Sequence, residues 1–182
     1  MEKRNVYLDH NATSPVLPEV LDAMMPFFTE AYGNPSSAHR YGRAAREAVD
    51  RARERVAALL NANAGEIVFT GGGSESDNLA LKGYLGSLNG GSHHIITSAV
   101  EHHAVINTVD RLEEQGNDVD YIGVDDRGAL DIRELEEAIC ENTKIASLMY
   151  ANNETGVIFD IRRISSILNK NKVVFHTDAV QA

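Results

Sequence analysis

The sequence predicts an α/β fold, a mostly parallel sheet with helices flanking its faces. Three observations predict it. Short β-branched or aromatic runs recur along the chain, each closed by glycine or polar residues. Apolar stripes at steps of three and four lie between these runs. No internal repeat, low-complexity tract or long linker interrupts the alternation, and strand–helix–strand order favours right-handed crossovers between parallel neighbours.

The strand-like runs are Val6–Leu8, Glu66–Thr70, His94–Thr97, Val119–Val124, Lys144–Tyr150 and Lys172–His176. Ala45, Val49, Ala52, Val56 and Leu59 trace one face of a long helix. Val105, Val109 and Leu112 mark a second, Ile132, Leu135 and Ile139 a third, and Ile161, Ile164, Ile167 and Leu168 a fourth. Asp131 and Asp160 stand where N-caps are wanted. Gly33-Asn34-Pro35-Ser36-Ser37 reads as a loop ahead of the alternation. Residues 1–60 therefore form an N-terminal segment and a long helix, and residues 61–182 form the body of the sheet.

Composition narrows the function classes. No apolar run approaches the roughly 20 residues that span a bilayer, and Met1–Val6 lacks the apolar core of a secretory signal. A single cysteine, Cys140, excludes an internal disulfide and points to a reducing, cytoplasmic compartment. Cys140 itself falls late in a helical stretch, where a small buried or half-buried side chain is expected. The net charge is −10, and the arginines at 40–55 alternate with Glu47, Asp50 and Glu54 as on a solvated helix face. Neither nucleic acid nor membrane is an expected partner.

In open α/β sheets ligands sit outside the carboxyl ends of the strands. After residues 67–70 comes Gly71-Gly72-Gly73-Ser74-Glu75-Ser76-Asp77-Asn78, leading into a helix. Such a turn lets the backbone approach a phosphate at a helix N-terminus, or is simply a flexible turn. It is neither a P-loop nor a dinucleotide fingerprint. His102, after the next strand, could stack on an aromatic ligand, titrate, bind metal, or merely start a helix. Asn152-Asn153 could donate to a ligand oxygen or cap a turn. Asp178 follows the last strand, where a buried carboxylate wants a cation. A protonated ring nitrogen satisfies it; so would a metal shared with His176, although no spacing among the histidines fixes a ligand set. Together these groups meet the demands of pyridoxal phosphate as an electron sink.

The same stretches resemble the cysteine desulfurases, a class-V aminotransferase family, in the branch of nitrogen-fixation and iron–sulfur housekeeping enzymes. The matching motifs are Tyr7-Leu8-Asp9-His10-Asn11-Ala12-Thr13, Gly33 to His39, Glu66 to Asn78, Glu101-His102-His103-Ala104-Val105, Asn152 to Val157, and His176-Thr177-Asp178-Ala179-Val180-Gln181. They cover essentially the whole chain, in order. Serine at 74 stands where many relatives have threonine, and glycines at 71–73 where relatives often have serine or alanine.

The resemblance implies the large domain of a type I pyridoxal-phosphate transferase, incomplete because it stops before the Schiff-base lysine. It implies that Gly73 and Ser74 hold the cofactor phosphate and that His102 stacks on the ring and moves protons. Asn153 and Gln181 would reach the phenolic oxygen, and Asp178 the pyridinium. It also implies L-cysteine as substrate, an iron–sulfur scaffold or other sulfur-acceptor protein as partner, and a homodimer at full length. Neither Cys140 nor any of Lys3, Lys82, Lys144, Lys170 and Lys172 matches the family's sulfur-carrying or cofactor-anchoring position. The isolated chain is expected to be inactive, and poorly soluble unless a partner segment covers its apolar edges. Other readings are a related lyase, a selenocysteine lyase or aminotransferase, and a non-catalytic binding module.

Overall fold

A computed structural model describes residues 5–182. Two compact units divide after Phe69. In the first, Pro18 opens helix α1 (Pro18–Thr29), its fixed φ suiting the first turn. His39 caps α2 (Arg40–Leu60) by accepting the Gly42 N–H at 3.3 Å. Of the predicted α2 stripe, Ala45 is buried, whereas Leu59 in the last turn is 84% exposed. Neither Val6–Leu8 nor Glu66–Thr70 forms a strand, contrary to the sequence reading. Val6 and Leu8 lie exposed. Glu66 is instead drawn into a 3-10 turn, Ala64–Glu66, where its carboxylate accepts from the Asn63 backbone and side-chain N–H groups at 2.7 and 3.1 Å. A local cap there outweighs β propensity.

The second unit carries α3 (Gly73–Ser87), β1 (His94–Ser98), α4 (His103–Glu114), β2 (Asp118–Ile122), α5 (Ile132–Ala138), β3 (Thr143–Ser147), α6 (Ile161–Lys170) and β4 (Val174–His176). The strands run parallel in the order β2-β1-β3-β4. This is the α/β fold with a parallel sheet that the sequence predicts. Beyond β3 the pairing persists, with Leu148 N donating to His176 O at 3.1 Å and Tyr150 N to Asp178 O at 2.8 Å.

Alternation along β1 sends Ile95 to one face and Ile96 to the other. Ile95 packs with Leu81 and Leu85 of α3 and Val105 and Val109 of α4. Ile96 packs with Leu135 of α5 and Ile164 and Leu168 of α6. Burying each such side chain contributes roughly 1.5–3 kcal/mol, so helices on both faces are what make the sheet stable. Asp131 caps α5 by accepting from Arg133 N and Glu134 N, and Asp160 caps α6 through Arg163 N, as their positions predict. Cys140 departs from its reading. It lies beyond α5, exposed, because the Thr143 hydroxyl takes its backbone N–H at 2.8 Å and turns the chain into β3. Among the described residues no helix is long and apolar enough to cross a membrane.

Candidate active site

The carboxyl ends of β1, β3 and β4 and the N-terminus of α3 meet at one end of the sheet. Helix α3 begins on Gly73 after an open glycine turn, which Gly71 N stabilises by donating to the Glu75 carboxylate at 2.6 Å. A Cβ on Gly73 would stand 2.9 Å from Cγ2 of Val180, so the chain after β4 passes directly against the start of α3. A side chain here would have to displace the Val180 methyl. Ser74 is exposed and shares a groove of about 440 Å³ with Asn78, His102, His103 and Arg111. Hydroxyl, imidazole and guanidinium donors around a helix N-terminus make that groove suited to an anion.

His102 is the N-cap of α4; its Nδ1 accepts the Ala104 N–H at 3.1 Å, leaving Nε2 to carry the proton of the neutral ring. Asp178 is half-buried, and its Oδ1 accepts from Val180 N at 3.0 Å. Asn152 organises the neighbouring loop. Asn152 Nδ2 donates to Val100 O at 3.1 Å, while its Oδ1 accepts from Glu154 N and Thr155 N. Asn153 and Gln181 are half-buried beside these turns. Gly73, Ser74, His102, Asn153, Asp178 and Gln181 therefore all lie on segments at this one end of the sheet.

Three residues of the site, Asp77, Ser147 and Glu101, were given no role from sequence, and His176 was weighed only as a metal ligand. Asp77, on the second turn of α3, is only 4% exposed, and its Oδ2 has no hydrogen-bond partner. Burial, then repulsion from Asp178, raises its pKa to about 6, against an opposing pull from His102. Its Oδ1 lies 3.6 Å from His176 Nε2, and His176 Nδ1 lies 2.8 Å from the fully buried Ser147 Oγ. Both imidazole nitrogens thus face protein groups, which leaves His176 unsuited to share a metal with Asp178. Burial lowers the His176 pKa, opposed by Asp178. Glu101 is 8% exposed; Oε1 accepts from Ser98 Oγ at 2.6 Å and Met149 N at 2.9 Å, and Oε2 is unpartnered. Burial raises its pKa to about 7 despite those two bonds. A sequence signal for Asp77 existed: it stands four and eight residues before Leu81 and Leu85, a charge on the buried face of a helix.

Comparison with known proteins identifies the family and the fold. The family model described as Aminotransferase class-V matches residues 6–182. The protein named cysteine desulfurase IscS of Neisseria meningitidis serogroup C / serotype 2a is 49% identical over 181 residues, 99% of this chain and 45% of that protein. A solved structure described as a NifS-like protein superposes with a TM-score of 0.95 at 40% identity, covering 98% of this chain and 50% of that one. Another, SspA in complex with cysteine, gives a TM-score of 0.89 at 40% identity, covering 94% of this chain and 49% of that one. The chain spans about half the length of the curated relatives it matches. The match across residues 6–182, and the fold shared with these structures, establish that the chain belongs to the class-V aminotransferase family.

Proposed function

We propose that this chain forms the cofactor-cradling part of a pyridoxal-5′-phosphate-dependent cysteine desulfurase. One observation carries the reading. The anion-suited start of α3 and the carboxylate of Asp178 meet at a single end of the sheet, with Gly73 against Val180 and Asp77 within electrostatic reach of Asp178 and His102. A flat phosphorylated ring has an anion at one end and, when its nitrogen is protonated, a cation at the other, which fits that pairing. The unpartnered buried oxygens of Asp77 and Glu101 fit a site that gains a cation or donor from its ligand.

In this reading the Gly73 backbone and the Ser74 hydroxyl bind the phosphate at the α3 N-terminus. His102 stacks on the ring and presents Nε2 for moving a proton. Asn153 and Gln181 donate to the phenolic oxygen, and Asp178 orients the ring by accepting from its protonated nitrogen. Bound there, the cofactor supplies the electron sink for cleaving the carbon–sulfur bond of L-cysteine. Cysteine as substrate is supported by the relatives' names and by the cysteine complex of SspA. The same family reading gives the full protein a homodimeric state, a cytoplasmic location, and a sulfur-acceptor protein such as an iron–sulfur scaffold.

Fluorescence titration with pyridoxamine 5′-phosphate and with pyridoxamine tests this. Ser74→Ala weakens the phosphorylated ligand several-fold and leaves pyridoxamine unchanged, whereas Asp178→Asn weakens both by about tenfold, the scale of one charge-assisted hydrogen bond. Equal effects of the two substitutions on both ligands, or no saturable binding, would refute the assignment.

A further inference from the structure

Asp77 is buried more deeply than Asp178 and takes no part in the grip just described. Its surroundings are settled by three elements. From β4, His176 offers Nε2 at 3.6 Å, and Ser147 of β3 stands 2.8 Å from the other imidazole nitrogen. Burial favours the neutral His176 ring, and one neutral tautomer serves both contacts: the Ser147 O–H donates to Nδ1, and Nε2–H faces Asp77 Oδ1. Oδ2 is left with no donor. The charged and titratable groups around Asp77 are His176, Asp178, His102 and Glu101, from β4, the chain after it, the α4 N-cap and the turn after β1. Two of the four are carboxylates, so among the described residues nothing pairs fully with an ionised Asp77.

A buried carboxylate with an unpartnered oxygen is costly unless a cation arrives. Asp178 raises the pKa of Asp77 through space, so a positive charge brought to Asp178 must act on Asp77 with the opposite sign. We propose that Asp77 is a second anion of the subsite built on Asp178: a positioning residue that holds His176 in register and ionises when a cationic ring nitrogen binds in front of Asp178. The inference rests on the cofactor reading for the identity of that cation. It differs from that reading in requiring two carboxylates, only one of which touches the ring, and in requiring a proton to leave the protein on binding.

Pyridoxamine 5′-phosphate is the probe, with wild type and Asp77→Asn compared from about pH 5 to pH 7.5. The asparagine is isosteric with the neutral acid, so the two proteins bind alike near pH 5. As pH rises through about 6, wild type gains an advantage that reaches about tenfold near pH 7.5. Calorimetry of wild type in two buffers of different ionisation enthalpy adds a reading that needs no variant: near pH 6 the complex releases a proton beyond the ligand's own titration. A pH-independent ratio between the two proteins, or no extra proton in the wild-type titration, overturns the proposal. Those failures leave the cofactor reading standing if Asp178→Asn still weakens binding. Absence of any binding to wild type would sink both.

Discussion

Glu101 illustrates how a single side chain ties the site together. Its Oε1 joins Ser98 at the end of β1 to Met149 just beyond β3, so it fixes the two segments that carry His102 and Asn153. At acidic pH, where Glu101 is protonated, Glu101→Gln keeps that acceptor and is expected to change stability by less than about 1 kcal/mol, whereas Glu101→Ala strands a buried N–H and costs about 1–3 kcal/mol in urea unfolding. The pH profile distinguishes the two roles of the carboxyl. With a folded pKa raised to about 7, Glu101 contributes stability that is complete below the unfolded carboxylate range and is lost as pH rises through 7. Glu101→Gln removes that decline. His176 runs the other way: its lowered pKa contributes stability above 6.5 that is lost as pH falls through the folded value. The difference between wild type and Glu101→Gln therefore isolates Glu101. Neither Glu101 nor Asp77 was legible as functional, because both sit inside motifs whose neighbours attract the attention and their burial is a tertiary property. Ser74, His102 and Asp178 stood out as candidates because each follows a predicted strand.

At the scale of elements, capping decided most boundaries. Helix α5 has only 7 residues and is held by the Asp131 carboxylate on Arg133 N and Glu134 N. Asp131→Ala is expected to cost about 1 kcal/mol and to fray α5 before any other helix, read by amide exchange. The sequence located Asp131 and Asp160 as caps and the four sheet strands to within a few residues. It failed at Val6–Leu8 and Glu66–Thr70, where β-branched composition was sound but the described residues offer no hydrogen-bonded strand beside them. It also extended the α5 stripe to Ile139 and Cys140, because periodicity carries no information about the Thr143 hydroxyl that captures the Cys140 N–H. Helix α1 gave too weak a stripe to be read; none of its residues is buried.

For the molecule as a whole, strand–helix alternation was enough to specify the parallel sheet, and the ends of its strands brought the dispersed motifs of the second unit together. What alternation could not specify is the depth at which each polar group sits, and that depth separates Asp77 and Glu101 from the exposed acids. In the proposed site, the segments at Gly73–Ser74, His102, Asn153 and Asp178–Gln181 surround one phosphorylated ring. Titrating the ¹⁵N-labelled chain with pyridoxamine 5′-phosphate and following amide shifts tests it most directly. Saturable shifts are expected in all four segments, with a single shared dissociation constant. Shifts confined to Gly73 and Ser74, the response of a phosphate site alone, would contradict it.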